Sequence, residues 1–331
     1  MMPSLKDVAE RAGVSVSTAS IALRQDPRVK EETRRRIAQA AEELGYRPNG
    51  IARDLKTRRT GMIAILLHSL GGPFFSELVR GIEDAAYVSD FMPIVSSSGK
   101  DDSALRRFLL EKRVDGAIIL NSNIDEEILQ TVASESMPIV VLDRSIHLEH
   151  VYTVTCDHRT GARRATRHLM DMGYPEVAFI SGPADSYHGR LRHDGYVDAH
   201  ASLDREVDER MIYHGTFTEG SGYDIARRMV ENGRMPQAIF AANDEMAIGA
   251  LRAFGELCVR VPQDVAIVGF DDIRLANYVT PSLSTVRQPM YDLGVTAANT
   301  LLRMLKGERG FAPAQLQTEL IVRQSSTIFA G

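Results

Sequence analysis

The sequence has few cysteines and no long apolar segment. Its two cysteines, Cys156 and Cys258, are far apart and lack the spacing of metal ligands, which excludes a disulfide framework and fits a reducing compartment. The longest purely apolar run, Met62–Leu67, is far shorter than the roughly 20 residues that span a bilayer. Residues 1–14 contain no stretch apolar enough for a signal peptide. We therefore expect a cytoplasmic protein without a membrane partner.

The overall composition conceals a charge asymmetry. The 331 residues are 44% hydrophobic and 25% charged, which is ordinary for a soluble globular protein, and the length suggests two domains of roughly 150 residues. The net charge is −5, but residues 1–60 hold 13 of the 39 Lys and Arg residues and 8 of the 44 Asp and Glu residues. A head of net charge +5 therefore precedes a body of net charge −10, and the head is predicted to bind a polyanion.

The head is predicted to be a three-helix unit. Apolar residues at helical spacing indicate helices near residues 5–12, 16–24 and 31–44. Gly13 breaks the first helix, Gly45 stops the third, Ser15 suits an N-cap, and Lys30 is a poor one. The predicted core between the first two helices consists of Val8, Ala9, Ala12, Val14, Ala19 and Ala22.

Two helices joined by a short turn with glycine form the helix-turn-helix arrangement, whose second helix reads the major groove of DNA. Exposed positions of the second helix are predicted to face bases: Val16, Ser17, Ser20 and Ile21. Ser15, Thr18 and Arg24 are predicted to face phosphates. The alternative, that the three helices bind another protein, is left open by the pattern, although the basic charge favours DNA.

The body is predicted to be an α/β fold of doubly wound parallel sheets. Continuous apolar runs separated by helical segments indicate parallel strands covered on both faces, and about 270 residues suffice for two lobes. Predicted strands occupy 63–67, 93–96, 117–120, 139–142, 177–181, 238–241 and 265–269. Predicted helices occupy 75–87, 104–112, 126–134, 162–172 and 245–254.

Polar and aromatic residues follow the predicted strands, where doubly wound folds bind ligands. Those that we assign to an effector site are Phe74, Phe75, Asp143, His188, Arg192, Phe217, Asn243 and Asp271. Carboxylates, an amide and a guanidinium can hold paired hydroxyls, and an aromatic ring can cover the apolar face of a sugar. The alternatives are structural: Asp143, Asp271 and Asn243 could be helix N-caps, and the aromatic residues could belong to the core.

No catalytic motif is present: the sequence contains no G-x-S-x-G, Walker A or H-E-x-x-H pattern. The Gly-Ser-Gly at 220–222 lacks the third glycine of a dinucleotide loop. In the Cys-Asp-His at 156–158 we expect Asp157 to cap the following helix, and we expect His147 and His150 to be solvated rather than metal ligands. The sequence therefore predicts no enzyme, no cofactor and no metal site.

A series of segments in order resembles the lactose-repressor/galactose-repressor family of bacterial transcription factors. The segments are SLKDVAERAGVSVSTASIAL, ETRRRIAQAAEELGYRPNGIARDLK, GPFFSELVRGIEDAA, VDGAIIL, PIVVLDR, GYPEVAFISGP, AIFAANDEMAIGALRA, DVAIVGFDD and TPSLSTVRQP, covering roughly residues 4–325. The resemblance implies a homodimer on a near-palindromic operator, with a small effector between two lobes like those of periplasmic sugar-binding proteins. It implies that Arg192, Asn243 and Asp271 contact the effector while Phe75, Asp143 and Phe217 shape the pocket.

The resemblance also implies a hinge at residues 48–60, between a DNA-binding domain at 1–47 and an effector-binding and dimerisation domain at 61–331. Within this hinge, residues 48–56 match the hinge helix of the family. A helix of nine residues is too short to be stable alone, so we expect the hinge to fold on DNA. The resemblance makes Leu55 a wedge in the minor groove, and we place three further residues at the DNA: Asn49, Arg53 and Lys56.

The recognition helix departs from many members of the family, because Ile21 stands where they carry a polar residue. An apolar side chain can touch a thymine methyl but cannot pair with guanine, so the operator sequence cannot be borrowed from relatives. The prediction is an effector-controlled repressor at the bacterial nucleoid, with a sugar as effector. The alternatives are a regulator that responds to a nucleobase and a solute-binding receptor protein.

Overall fold

A computed structural model describes residues 3–23, 25–47, 59–68, 70, 74–89, 91–97, 103–121 and 124–327. The chain divides into two compact units, Met1–Thr60 and Gly61–Gly331. Within the described residues, no helix is both long enough and apolar enough to cross a membrane.

The described part of the first unit contains the three predicted helices, α1 (Leu5–Arg11), α2 (Val16–Ala22) and α3 (Glu31–Glu43). Ser15 caps α2 by accepting from the Thr18 N–H, whereas the side chain of Lys30 makes no cap hydrogen bond to α3. Both expectations are confirmed.

Gly13 and Gly45 end α1 and α3 by adopting the left-handed region, each with φ of +63°. That conformation lets the next residue donate back into the helix, from Val14 N to Ala9 O at 3.0 Å and from Tyr46 N to Ala41 O at 2.8 Å. The helices bury a shared core of small and branched side chains: Val8, Ala9, Ala12, Ala19, Ala22, Ile37, Ala40 and Ala41. Val14, predicted to be in this core, is only partly buried against it.

The second unit contains two six-stranded sheets, one in each lobe. The strands of the first lobe are β1 (Met62–Leu67), β2 (Met92–Ser97), β3 (Gly116–Leu120), β4 (Ile139–Leu142), β5 (Val151–Cys156) and β11 (Ala314–Leu316). They lie in the order β11-β5-β4-β3-β1-β2, and every pairing is parallel. The helices of this lobe are α4 (Phe74–Tyr87), α5 (Ser103–Leu110), α6 (Glu126–Val132) and α11 (Met290–Leu305).

Both faces of the first sheet are covered. Successive residues of β1 point to opposite faces, so Ile63, Ile65 and Leu67 pack with α4 and α11 while Ala64 and Leu66 pack with α5 and α6. This arrangement explains why the strands are continuously apolar rather than alternating.

The strands of the second lobe are β6 (Val177–Ser181), β7 (Ile212–His214), β8 (Ala238–Ala241), β9 (Ala266–Asp271), β10 (Ser284–Arg287) and β12 (Glu319–Ile321). Their order is β12-β10-β9-β8-β6-β7, parallel except for the antiparallel pair of β10 and β12. The helices of this lobe are α7 (His158–Asp171), α8 (Tyr187–Ala201), α9 (Glu219–Glu231) and α10 (Asp244–Glu256). The predicted doubly wound, two-lobed architecture is confirmed.

The chain passes between the lobes three times, after β5, after β10 and after β11. Helix α11 therefore returns to the first lobe and packs closely against α4. A Cβ at Gly81 would lie 2.2 Å from the carbonyl oxygen of Tyr291, and one at Gly294 would lie 2.3 Å from that of Leu78. Because glycine has no Cβ, Gly81 and Gly294 let the two helix backbones approach each other.

Candidate functional site

The N-terminus of α2 presents a cluster of hydroxyl groups. Ser15 Oγ lies 2.9 Å from Ser17 Oγ and 2.8 Å from Thr18 Oγ1, and it accepts from the backbone N–H of Thr18. Val16 is 46% exposed and Ser17 is also exposed, so the two are free to meet a partner.

The other predicted DNA contacts fall into two groups. Thr18, Ser20 and Ile21 are half-buried along α2. Five lie outside the described residues: Arg24, Asn49, Arg53, Leu55 and Lys56.

In the second unit, Asp143 follows β4 in the left-handed region, with φ of +52°. Its Oδ1 accepts from the Cys156 N–H at 2.9 Å and lies 3.2 Å from Nε2 of His158, the first residue of α7. Burial raises the pKa of Asp143, but His158, His188 and the Cys156 N–H together outweigh burial and hold that pKa below its ordinary value. Asp143 is not a helix N-cap, because it caps none of the described helices.

Arg192 of α8 lies at the centre of the cluster and is 3% exposed. Its Nη1 donates to the carbonyl oxygen of Ala242, and its Nη2 lies 3.3 Å from Oδ1 of Asp271. The guanidinium carbon lies 4.0 Å from the centroid of the Phe270 ring, and Nη2 lies 3.5 Å from Nδ1 of His158. Arg192 therefore connects the ends of β8 and β9 with the start of α7.

Asp271 ends β9 with φ of +123° and accepts from Nε2 of Gln288 at 2.6 Å. Burial raises its pKa to about 6 even though the Arg192 guanidinium opposes the rise. Asp271 is not an N-cap either, because Ile273 holds that position before the following 3₁₀ turn.

His188 and Phe217 form an aromatic wall beside Arg192. Their rings are stacked with centroids 5.4 Å apart, and the His158 ring lies 5.9 Å from that of His188. Burial, reinforced by Arg192 and His158, lowers the pKa of His188 to about 3, so its imidazole is neutral at neutral pH. Phe217 has φ of +61°, and its ring covers Gly182, where a Cβ would lie 2.0 Å from the ring.

The side chain of Asn243 makes local hydrogen bonds, and two further predicted residues, Phe74 and Phe75, belong to α4. Asn243 caps α10 by accepting from Met246 N, and its Nδ2 donates to the carbonyl oxygen of Phe217, so the structural alternative applies to its side chain. Phe75 packs against the core of the first lobe, and Phe74 is the first residue of α4.

Three residues of the cluster were missed by the sequence reasoning: His158, Asp244 and Gln288. Asp244 is fully buried, where its Oδ1 accepts from the Thr285 hydroxyl and its Oδ2 accepts from Ile273 N at 2.9 Å. Burial, then the charge of Asp271, raises the pKa of Asp244 to about 8. His158 and Gln288 flank two lobe crossings, so a search of crossing segments for polar residues could have found them.

The residues of the tripeptide at 156–158 make structural contacts. Asp157 caps α7 by accepting from Thr160 N at 3.1 Å, as predicted. Cys156 is buried, and burial raises the pKa of its thiol well above the ordinary value, which keeps it from being a nucleophile. Among the residues that the structure describes, no group of three His, Cys, Asp or Glu side chains could hold a metal ion.

Three buried polar atoms of the cluster have no hydrogen-bond partner among the described residues: His158 Nε2, Arg192 Nε and Gln288 Oε1. The contact of His158 Nε2 with Asp143 is thus close but poorly directed. An unsatisfied buried polar group costs about 1–3 kcal/mol, and native proteins keep few of them. Their concentration where the two lobes meet is typical of a site whose hydrogen bonds are completed by a ligand.

Comparisons with known proteins match a family model to each of the two units. A family model described as "Bacterial regulatory proteins, lacI family" matches residues 4–49, and one described as "Periplasmic binding protein-like domain" matches residues 166–326. The chain is 34% identical to the ribose operon repressor of Escherichia coli (strain K12), over 92% of this chain and 93% of that protein.

Two solved structures extend the similarity to the full chain. The Lac repressor dimer bound to operator and the anti-inducer ONPF superposes with a TM-score of 0.86 at 28% identity, covering 99% of this chain and 100% of that one. The transcriptional regulator CelR in complex with cellobiose gives a TM-score of 0.73 at 32% identity, covering 98% and 99%. The chain belongs to the LacI family of bacterial regulatory proteins and is a DNA-binding transcriptional regulator with an effector-binding body.

Proposed function

We propose that this regulator is a repressor whose affinity for a near-palindromic operator is controlled by a sugar bound between the two lobes. The observation that carries the proposal is the set of three unsatisfied buried atoms on His158, Arg192 and Gln288. They belong to one chain of contacts that also includes Asp143 and Asp271.

The chemistry of this cluster suits a polyhydroxylated ligand. A sugar hydroxyl can donate one hydrogen bond and accept others, so it can pair with the Arg192 Nε–H and with Gln288 Oε1. The carboxylates of Asp143 and Asp271 can accept from further hydroxyls, and the Phe217 ring offers an apolar face. Two similar proteins, a ribose operon repressor and CelR in its complex with cellobiose, support a sugar.

A nucleobase is the second candidate, and the stacked rings of His188 and Phe217 favour it. A planar base could extend this stack and pair with Asp271 or Gln288. The third possibility, a solute-binding receptor protein, is disfavoured because a solute receptor does not bind DNA and this chain carries a helix-turn-helix unit.

For the first unit, we propose that α2 enters the major groove, where exposed Val16 and Ser17 meet base edges. A homodimer would place two such helices about one turn of DNA apart, as the near-palindromic operator requires. The Lac repressor structure is that of a dimer on its operator, which supports this assembly. We retain residues 48–60 as a hinge that folds on DNA, and residues 1–47 and 61–331 as the domains on either side.

A ligand screen by thermal shift tests the effector class. We expect one or more sugars to raise the melting temperature of the full chain, while nucleobases leave it unchanged. Asp271→Asn should abolish the shift, because the ligand loses an acceptor and Arg192 loses its partner. Asp185→Asn, an exposed position in the loop after β6, is the matched control and should respond like the natural chain. A shift with nucleobases alone would contradict the sugar, and an equal shift in the Asp271 variant would contradict the site.

A further inference from the structure

A second pocket lies away from the proposed effector site, at the opposite end of α9. Helix α9 starts beside Phe217 and runs for 13 residues, which at 1.5 Å per residue is about 20 Å. At its C-terminal end is a pocket of about 420 Å³, which we call the basal pocket. Its lining includes Arg210, Ile212, Ile225, Arg228, Met229 and Arg234. This site is therefore distinct from the proposed effector site.

The basal pocket combines an apolar floor with a positively charged rim. Ile212 and Tyr213 are half-buried against the core of the second lobe, so part of their apolar surface stays accessible in the pocket. Arg210, Arg228 and Arg234 are all exposed to solvent. A ligand that binds here would meet hydrocarbon below and guanidinium groups at the edge.

The charges of two of these arginines are not compensated. Arg210 pairs with Asp208 through Nε at 2.9 Å and Nη2 at 2.7 Å. Arg228 uses only its Nε, which donates to the carbonyl oxygen of Asp224 at 3.2 Å. The guanidinium of Arg234 has no hydrogen bond or ion pair with any residue in the described part of the chain. Two guanidinium groups are thus available to an anion.

An adjoining hollow of about 610 Å³ shares Arg210 and Arg234 with the basal pocket and includes Tyr196 and His200. Three carboxylates, those of Glu176, Glu206 and Asp208, also line this hollow. They would repel an anion, so an anionic group is favoured in the basal pocket and an uncharged group toward the hollow.

We propose that the basal pocket binds a phosphate ester of a small organic molecule, with the phosphate held by Arg228 and Arg234. The planar guanidinium fork matches phosphate oxygens in a bidentate manner. The apolar part of the ligand covers the accessible surface of Ile212 and Tyr213. Such a ligand would act independently of the effector between the lobes.

Isothermal titration calorimetry of the full chain tests this proposal, with adenosine monophosphate and inorganic phosphate as probes at constant ionic strength. We expect saturable binding of the nucleotide, at least ~10-fold tighter than that of phosphate, because only the nucleotide covers the apolar floor. The double variant Arg228→Gln/Arg234→Gln should lose at least ~10-fold in nucleotide affinity, because it loses charge-assisted hydrogen bonds. Arg163→Gln, an exposed arginine on α7 of the same lobe, is the matched control and should bind normally.

The variant Asp271→Asn separates this site from the cleft, and it should bind the nucleotide as the natural chain does. Loss of nucleotide binding in this variant would assign the signal to the cleft and overturn the proposal. No saturable binding at millimolar nucleotide, equal affinity for the two probes, or full affinity in the double arginine variant would also overturn it. Both arginines are exposed, so the double variant is expected to keep the melting temperature of the natural chain.

Discussion

The buried carboxyl group of Asp244 makes the stability of the body depend on pH. Burial raises its pKa to about 8, whereas an unfolded aspartate titrates near 3.9. The folded state therefore holds a proton that the unfolded state releases. This contribution to stability is full below the unfolded pKa and is lost as the pH rises toward and through the folded pKa.

The interval from about pH 6.5 to about pH 8 covers most of the titration of Asp244, although three buried or half-buried histidines oppose its effect: His168, His188 and His200. Asp271, with a pKa of about 6, is largely ionised in both states above this lower limit. Burial lowers the pKa of His188 to about 3 and also lowers the pKa values of His168 and His200, so these imidazoles add stability as the pH rises through the lower part of the interval. One proton contributes up to about 1.4 kcal/mol per pH unit, so we expect Asp244 alone to lower the free energy of unfolding by about 1–2 kcal/mol over the interval, read as the difference between the natural chain and Asp244→Asn.

Urea unfolding of the full chain, followed by circular dichroism at the two pH values, measures this loss. Asp244→Asn should remove it, because the amide side chain does not titrate. The variant should still fold, because the amide oxygen can accept from Ile273 N and the amide N–H₂ can donate to the Thr285 hydroxyl. Asp185→Asn should keep the pH dependence of the natural chain. An Asn variant whose stability changes over the interval by as much as that of the natural chain would refute the reasoning.

Three further substitutions test other parts of the account. Gly182→Ala places a Cβ 2.0 Å from the Phe217 ring, so the ring has to move. Overpacking of this kind costs about 1–3 kcal/mol, and we expect effector binding to weaken about 10-fold in calorimetry. Gly220→Ala, whose Cβ would meet no atom within 4 Å, should bind normally. Unchanged affinity of the Gly182 variant would remove the ring from the site. Ser15→Ala should cost the α2 amides about 1 kcal/mol of protection in hydrogen exchange, and equal protection would contradict the cap. Leu55→Ala should weaken operator binding in a filter assay without changing effector affinity, and equal DNA affinity would exclude the wedge.

Much of the fold could be predicted because its signals are local. Strand β1 is a continuous apolar run, and Gly13 and Gly45 end helices where the sequence indicates. Strand β5, in contrast, was not predicted. Its sequence Val-Tyr-Thr-Val-Thr-Cys mixes threonines with apolar residues and is no continuous apolar run, and it pairs near the edge with β11, whose residues lie far along the chain. The return of α11 to the first lobe likewise depends on contacts between distant residues.

The site was predictable in part for the same reason. The end of a predicted strand identified Asp143 and Asp271, because polar residues there stand out from apolar runs. Asn243 met the same criterion, but its side chain is used by the α10 N-cap and by Phe217. The burial of Asp244 could not be foreseen, since its partners belong to β10 and to the segment after β9.

Control of DNA binding by a sugar is decided by operator affinity with and without the effector, measured at one fixed salt concentration. Phosphate contacts make DNA affinity depend steeply on salt, so the comparison requires constant ionic strength. The account predicts that a sugar that stabilises the full chain changes operator affinity by about 5- to 150-fold, the range of a coupling free energy of 1–3 kcal/mol. The same sugar should have no effect on operator affinity in the Asp271→Asn variant. Equal operator affinity of the natural chain at zero and at saturating sugar would contradict the account.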